Sequence, residues 1–345
     1  MRIRIIALMI LWAATSAAQS VNTIRIKAVG DVMPGSRSSA SMPRKGGSEF
    51  TASLGDALRG SDLTIGNLEC AVAAEGISPS KCTDASRKAK TCFEFGTSPA
   101  LISILKELGF THLSMDNNHS DDYGRAGYAK AIEELIRNGI TFGAKRQPMV
   151  TGVRANPVAF ATFGFDSDSY NINNLREADS VIRRLKSFSQ IVIVYFHGGA
   201  EGRSALRVHD EQEYFLGENR GNVVAFARTV VDAGADVVLG SGPHVLRAME
   251  LYRKKLIAYS LGNFLTYGGF NLSGENGIAA ILDFEISETN GDFVRGRIVP
   301  TAQKAPGIPF IDAKERGAKL LRELTEEHSP DSFNFGNNNE FTPKR

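Results

Sequence analysis

Histidine, aspartate, glutamate and asparagine side chains recur at the ends of the apolar runs in this 345-residue sequence. They stand at Asp31, Asn67, Glu69, Asn118, His119, His197, Glu201, His244 and Asn263. Nitrogen and oxygen ligands without thiolate are typical of Mn, Fe, Zn or Mg sites and argue against a structural cysteine-zinc site. Three of the six histidines belong to this set, which makes it a stronger signal than one isolated histidine would be. The pattern indicates a site for one or two divalent metal ions.

The densest cluster closes the stretch 109–124, GFTHLSMDNNHSDDYG. A short apolar run there leads into six polar groups that bind metals, anions or protons: Asp116, Asn117, Asn118, His119, Asp121 and Asp122. A buried strand that ends in such a cluster is typical of the ligand crevice of an open α/β sheet. Asn and Asp also favour surface turns, which is the alternative interpretation. Other apolar runs of the sequence also end in polar groups of these types, which favours a ligand-binding site over a surface turn. His112, inside the run, is expected to be a core or interface histidine.

The elements that must position these groups alternate between strands and helices. Apolar runs predict strands at 23–29, 62–68, 157–164, 191–196, 235–239 and 256–261. Helices are predicted at 47–60, 125–137, 221–233 and 313–327, and at 99–108, where Ser98, Pro99 and Gly109 mark the two ends. Residues 278–286 and 293–299 suggest an antiparallel pair, and the tail from residue 329 is expected to be disordered. Strands and helices that alternate in this way place the strand ends along one edge.

The N-terminus has the pattern of a secretory signal. Arg2 and Arg4 precede an apolar run at 5–14 and a series of small residues, so cleavage is expected near Ala18. The apolar run is shorter than a permanent membrane anchor needs. A secreted or periplasmic chain without a stable membrane span is therefore predicted. The net charge of +2 points to neither nucleic acid nor a membrane surface, and the phenylalanines show no stacking pattern suited to nucleic acid.

Export would make the three cysteines potential disulfide partners. Cys70, Cys82 and Cys92 fall within one segment, so three single bridges are possible and one thiol is left over. The polar, basic segment between Cys70 and Cys92 indicates an exposed loop. We favour Cys82 with Cys92, because Cys70 adjoins a predicted active-site strand end.

Several motifs resemble the CapA family of capsule or poly-γ-glutamate synthesis proteins, which is related to the calcineurin-like metallophosphatases. The matching segments are GDVMPGSR (30–37), IGNLEC (65–70), FEF (93–95), LGFTHLSMDNNHSDDYG (108–124), HGGAE (197–201), AGADVVLGSGPHVLRAME (233–250) and AYSLGNFL (258–265). NNHxxDYG followed by YSLGNF is the specific part of the match, which covers roughly residues 24 to 300. The resemblance implies an α/β fold, a four-layer α-β-β-α sandwich like that of the metallophosphatases, with the site at the strand ends.

The resemblance also implies roles for individual residues. The implied metal ligands are Asp31, Glu69, Asn118, His197 and His244, with Asn67 as a weaker candidate. His119 would be a general acid or a phosphate-contacting group, and Asp122 would orient its imidazole. Glu201 would hold the loop after His197 or contact a substrate amine. In a two-metal site the ions would clamp an oxyanion and activate a water.

Two departures from the related patterns weaken this metal site. Metallophosphatases usually carry a histidine two residues after the first aspartate, where this chain has Met33, although methionine is common within the CapA family. The family's GxHPH segment reads GSGPH here, so Gly242 stands where the first histidine would be. A glycine supplies no side-chain ligand, and the shell could be completed by water or Ser241.

Two functions remain open from the sequence. The first is an exported metal-dependent hydrolase or transferase of capsule or poly-γ-glutamate synthesis, acting on a phosphoester or on an anionic polymer. The second is a non-catalytic factor that binds or exports such a polymer and retains a degenerate metal site. The expected layout is a signal peptide at 1–18, a CapA-type metallophosphatase-like domain at 19–312, and a C-terminal helix and disordered tail at 313–345.

Overall fold

The helices and strands come from a computed structural model that describes residues 22–37, 41–89 and 91–344. The predicted signal peptide at 1–18 lies outside the described residues. The α-helices of the described part are α1 (Ser48–Leu54), α2 (Asp84–Ala89), α3 (Pro99–Leu108), α4 (Gly124–Arg137), α5 (Leu175–Lys186), α6 (Val223–Ala233) and α7 (Arg316–His328). Its strands are β1 (Thr23–Met33), β2 (Leu63–Leu68), β3 (Ala71–Val72), β4 (Gly96–Thr97), β5 (His112–Ser114), β6 (Thr141–Gly143), β7 (Met149–Val153), β8 (Asn156–Phe163), β9 (Ile191–His197), β10 (Glu213–Phe215), β11 (Glu218–Gly221), β12 (Val237–Ser241), β13 (Met249–Tyr252), β14 (Lys255–Ala258), β15 (Asn263–Thr266), β16 (Ile278–Ser287), β17 (Phe293–Lys304), β18 (Ile308–Ile311), β19 (Phe333–Phe335) and β20 (Glu340–Pro343).

The larger of the two main sheets runs in the order β19-β20-β17-β16-β1-β2-β5-β6, with β15 beside β1 and β18 beside β17. Strands β1, β2, β5, β6 and β15 are parallel to their neighbours in this group. Strands β16 and β17 form the antiparallel pair predicted from their alternating pattern. The parallel part of the sheet therefore brings the ends of β1, β2 and β5 to one edge.

The smaller main sheet runs in the order β13-β14-β12-β9-β8-β7. Its centre is parallel, because β9 pairs in that sense with both β8 and β12. Every residue of β9 is buried. A continuous apolar run such as this one is typical of a parallel strand that is covered on both faces. This sheet therefore brings the ends of β9 and β12 to one edge.

The two sheets pack face to face, with helices on both outer faces. Ile26 and Ile65 of the larger sheet share one apolar core with Ile193 and Leu239 of the smaller sheet. Helices α1, α3 and α4 cover the outside of the larger sheet, and α5 and α6 cover the smaller one. The layers are therefore α-β-β-α. This arrangement confirms the predicted fold class.

The C-terminal tail differs from its sequence-based prediction. Residues after 329 are not disordered: β20 pairs with β17 and β19 pairs with β20. Phe333 and Phe341 are buried, and the Phe341 ring stacks on Phe293 at 5.2 Å between centroids. The surrounding asparagines make this segment polar on average, so its composition does not reveal the two buried phenylalanines. Helix α7 also packs on β17, so no structural boundary follows residue 312.

Smaller differences affect three other segments. Helix α1 ends at Leu54 rather than near residue 60. Helix α5 was not predicted, although Asn174 caps it by accepting a hydrogen bond from the Glu177 backbone N–H at 3.2 Å. The structure joins Cys82 to Cys92, the favoured pairing, and leaves Cys70 as a buried free thiol. Within the described part of the chain, no helix is long and apolar enough to cross a membrane.

Candidate metal centre

Three of the predicted ligands meet where the two sheets face each other. Asp31 comes from β1, Glu69 follows β2, and His197 ends β9. Their ligand atoms all lie within 4.8 Å of one another, and all three side chains are at most 1% exposed. Gly30 permits this approach, because a Cβ there would lie 1.9 Å from the Gly262 carbonyl oxygen. That carbonyl accepts a hydrogen bond from the Asp31 backbone N–H at 2.9 Å.

The donors of this cluster fit a divalent cation. Within the described residues, Glu69 Oε1 and His197 Nε2 are buried and have no hydrogen-bond partner. Buried polar atoms of this kind normally have hydrogen-bond partners. Two such atoms without partners in one place therefore indicate a ligand-binding site. Burial, together with the charges of Asp31 and Glu201, raises the pKa of Glu69 well above its usual value. A cation would offset this repulsion, and two carboxylates with an imidazole suit Zn, Mn or Fe.

Asn67 joins the two carboxylates through its amide. Its Nδ2 donates to Asp31 Oδ1 at 3.0 Å and also to Glu69 Oε2. Its Oδ1 accepts a hydrogen bond from Asn117 Nδ2 at 2.9 Å. All of these contacts hold the carboxylates in place and leave the amide oxygen occupied. The geometry thus fits an orienting role for Asn67, and its role as a direct ligand stays a prediction.

His244 reaches the same cluster from the loop after β12. Its Nδ1 lies 2.9 Å from Asp31 Oδ2 and 3.1 Å from Asn263 Oδ1. Although burial acts in the opposite direction, the hydrogen bond and charge of Asp31 raise the pKa of His244. The residue has φ +57, a left-handed conformation that is uncommon for non-glycine residues and worth attention at a functional site. Asn263 begins β15 rather than ending a strand, contrary to the sequence-based reading.

A histidine–carboxylate pair lies beside the cluster in the turn after β5. His119 Nδ1 is 2.7 Å from Asp122 Oδ2, and Asp122 also accepts from the Phe95 backbone N–H at 2.6 Å. Burial lowers the pKa of His119, although Asp122 acts against that effect. Lys81, at the start of the disulfide loop, lies 3.1 Å from Asp122 and donates to the Asn118 carbonyl at 2.6 Å. The imidazole is therefore held in one orientation, as expected of a working histidine.

Glu201 lies at the partly exposed side of the site. Its Oε2 is 3.9 Å from His244 Nε2, and its Oε1 accepts a hydrogen bond from Arg220 Nη2 at 3.0 Å. Asn118, another predicted ligand, has a buried Oδ1 without a hydrogen-bond partner among the described residues. This oxygen is a third buried atom without a hydrogen-bond partner that could bind a metal, beside those of Glu69 and His197. All of the predicted site residues therefore lie in or next to one region.

The comparisons with known proteins place the chain in a family. Residues 25–267 match the family described as Bacterial capsule synthesis protein PGA_cap, which is well over half of the chain. The chain belongs to this capsule synthesis family. Among curated relatives, it is 26% identical to the PGA biosynthesis protein CapA of Bacillus subtilis (strain 168), over 92% of this chain and 83% of that protein. It is 26% identical to the Capsule biosynthesis protein CapA of Bacillus anthracis, over 87% of this chain and 72% of that protein.

A solved structure also resembles this capsule synthesis family member, at a greater distance. It belongs to a Staphylococcus aureus protein assigned as a 5′-nucleotidase and solved with α-ketoglutarate. The two chains are 13% identical with a TM-score of 0.45, over 90% of this chain and 59% of that one. A similarity at this level bears on neither activity nor ligand.

The two departures from the related patterns have structural consequences. Gly242 has φ +108, and a Cβ there would lie 3.1 Å from the Gly198 backbone nitrogen, so a histidine would be strained as well as crowded. Ser241 Oγ instead lies 3.1 Å from His197 Nδ1. Met33 is fully buried in the core beneath helices α1 and α3. Neither position therefore supplies a side-chain histidine ligand in this family member.

The sequence placed Asn117 in the polar cluster and offered Ser241 as a substitute ligand, whereas it did not assign Lys81 or Arg220 to the site. Asn117 carried a usable signal, because it stands between predicted groups in the DNNH segment. Lys81 and Arg220 carried none, since each reaches the site from a loop or hairpin whose folding depends on distant contacts. Arg220 lies on β11, in a hairpin with β10 that no sequence pattern indicated.

Proposed function

We propose that this protein is an exported, metal-dependent hydrolase or transferase of capsule or poly-γ-glutamate synthesis. Its substrate would be a phosphoester or an amide-linked anionic polymer. The observation that supports this most strongly is the buried cluster of Asp31, Glu69 and His197. Two of its ligand atoms have no hydrogen-bond partner, and the His119–Asp122 pair lies in the same region. Membership of the capsule synthesis family supports a role in polymer synthesis, and the cluster supports metal-dependent chemistry.

The ion would be held by Asp31, Glu69 and His197, with His244 and Asn118 as further ligands. A divalent ion in such a set polarises an oxygen of the substrate and lowers the pKa of a nearby water. Asn67 would keep both carboxylates in position through its two hydrogen bonds. Outer partners of this kind typically change metal affinity by about 10–100-fold when removed. One ion is sufficient for this proposal.

His119 would transfer the proton. With Asp122 accepting from Nδ1–H, the ring carries its lone pair on Nε2. Because burial lowers the pKa of His119, the ring is neutral near pH 7 and accepts a proton at Nε2 before it can donate one. Asp122 would stabilise the imidazolium that forms. Such general acid–base catalysis contributes about 10²–10⁴-fold to rate.

Metal content of residues 19–345 tests the proposal first. Mn, Fe, Zn and Mg would be quantified by mass spectrometry before and after reconstitution, in the wild type and in His197→Ala and His244→Ala. Stoichiometric metal in the wild type and its loss in His197→Ala are expected. His119→Ala is the matched control, which should keep the metal and lose turnover in a phosphoester and γ-glutamyl substrate screen. Absence of metal from the reconstituted wild type would contradict the proposal.

A second function is favoured by one specific observation, the left-handed glycine at 242 in place of a histidine. With neither Gly242 nor Met33 supplying a ligand, the centre could serve a polymer-binding or export factor that performs no chemistry. His119→Ala separates the two functions. In an enzyme it abolishes turnover, whereas in a binding factor it leaves the affinity for poly-γ-glutamate unchanged and no turnover is seen in either protein.

A further inference from the structure

A buried arginine next to the candidate centre has an unused hydrogen-bond donor. Arg220 is 2% exposed, and its Nε and Nη2 point to Glu218 at 2.9 and 2.7 Å. Nη2 also donates to Glu201 at 3.0 Å. The remaining nitrogen, Nη1, is buried and has no partner among the described residues. Leaving a charged donor unsatisfied is costly, so such a group calls for a functional explanation.

The contacts of Arg220 place it at the edge of the metal cluster. Its guanidinium lies 4.1 Å from the centre of the Phe165 ring, and that ring is 5.9 Å from the His197 ring. Glu201 connects Arg220 to His244 on the other side.

A cleft lies against two of the contacts of this arginine. It has a volume of about 520 Å³ and is lined by Phe165, Glu218 and Asn219, among other residues. Phe165 and Glu218 are themselves contacts of the guanidinium. The cleft therefore borders residues that cover the buried guanidinium.

We propose that Arg220 binds an anionic group of the substrate, a phosphoryl or a carboxylate. This proposal rests on the proposed function of the centre and names the residue that recognises the charge. The planar guanidinium presents parallel N–H donors that match two oxygens of either group. Nη1 is available for the first oxygen, and Nη2 becomes available when Glu201 moves away. Phe165 holds the guanidinium plane by cation–π stacking.

Glu201 then acts as a competitor for the substrate anion. Its carboxylate already occupies part of the guanidinium and adds a negative charge next to it. Glu201→Gln removes that charge and keeps the shape of the side chain. The variant should therefore bind an anion more tightly than the wild type. A gain of affinity is informative, because a misfolded variant cannot produce it.

Titration calorimetry with inorganic phosphate and with glutarate tests the role of Arg220. Residues 19–345 would be used at constant ionic strength, once loaded with the metal found to bind and once treated with chelator. Arg220→Gln should weaken binding of the preferred probe about 10-fold or more, as expected for a lost hydrogen bond to a charged group. Arg220→Lys should recover part of the loss. Preference for phosphate would indicate a phosphoester, and preference for glutarate a carboxylate.

Arg228→Gln is the matched control. Arg228 also contacts a ring, Tyr252 at 5.5 Å, and a carboxylate, Glu250 at 2.8 Å, but it belongs to α6 away from the cluster. Its replacement should leave both affinities unchanged. Unchanged affinities in metal-loaded Arg220→Gln, weaker binding in Glu201→Gln, or no binding of either probe to the wild type would each overturn the role of Arg220. Absence of metal would instead overturn the proposed function, so the two failures are distinguishable.

Discussion

Glu69→Gln should change the stability of the protein in opposite directions with and without metal. Glu69 is fully buried beside Asp31, and its pKa is raised well above the ordinary 4.5, chiefly by burial. The folded chain therefore holds this proton more tightly than the unfolded chain. Stability that is present below pH 4.5 is lost as the pH rises from 4.5 through the folded pKa, at about 1.4 kcal/mol per pH unit. Glutamine does not titrate, so the chelated variant avoids this loss.

Metal should reverse the order of the two proteins. At a metal concentration about 100-fold above its dissociation constant, the wild type gains about 2.7 kcal/mol of unfolding free energy. Removing outer partners of a metal site lowers affinity by up to about 100-fold, and losing the Glu69 ligand should cost at least that much. At the same metal concentration, the gain in Glu69→Gln then falls to about 0.4 kcal/mol or less. Two effects of opposite sign thus follow from one substitution.

Urea unfolding followed by circular dichroism measures both effects. Unfolding free energies at pH 5, 6 and 7 would be compared in chelator and in the metal that the wild type binds. Glu134→Gln serves as the control, because Glu134 is 3% exposed but paired with Lys130 and Arg137 at 2.9 and 3.0 Å. It should lose stability and keep the full gain from metal. The reasoning is refuted if chelated Glu69→Gln is less stable than the wild type at pH 7, or if its gain from metal equals that of the wild type.

Three further substitutions test other parts of the structure. His112→Phe should flatten the loss of stability in acid: burial lowers the pKa of His112 to about 3, so the wild type loses about 1.4 kcal/mol per pH unit as the pH falls from 6.5 toward 3, measured by urea unfolding. Cys82→Ala with Cys92→Ala opens a loop with a sequence separation of 10 and should lower the unfolding free energy by about 2.7 kcal/mol, measured the same way without reductant. Asp122→Asn should lower turnover by about 10²–10⁴-fold while metal content stays at the wild-type level, because it removes the carboxylate that orients His119 and stabilises its protonated form.

Local sequence signals were sufficient for the parallel framework. Helix α3 has a serine at the N-cap position, an early proline and a closing glycine, and it forms where these signals predict. The all-apolar run of β9 forms a fully buried strand that ends in His197. Once such strands are parallel, their ends share an edge, which brings Asp31 and Glu69 together on the larger sheet. His197 ends a strand of the other sheet and joins them because the two sheets pack face to face.

Features that depend on distant pairing were not accessible in the same way. The tail becomes ordered because Phe341 packs on Phe293, 48 positions earlier in the chain, while the intervening segment is mostly polar. The hairpin that carries Arg220 buries this side chain and has an exposed tip, so its pattern is neither strand-like nor helical. In both places a few buried side chains decide the structure, and their packing partners cannot be read from local spacing.

The position of His244 explains how the candidate centre, which has few histidines, tolerates the buried carboxylates of Asp31 and Glu69. Asp31 Oδ2 accepts from His244 Nδ1 at 2.9 Å and thereby raises the pKa of the imidazole, which favours its cationic form. The proton on His244 thus offsets part of the negative charge that a metal ion would otherwise neutralise. A metal that binds Asp31 and the imidazole must displace this proton, because only the neutral ring can act as a ligand. In the proposed metal centre, proton and cation would compete for the same pair of side chains, so the surrounding pH would set how readily an ion binds.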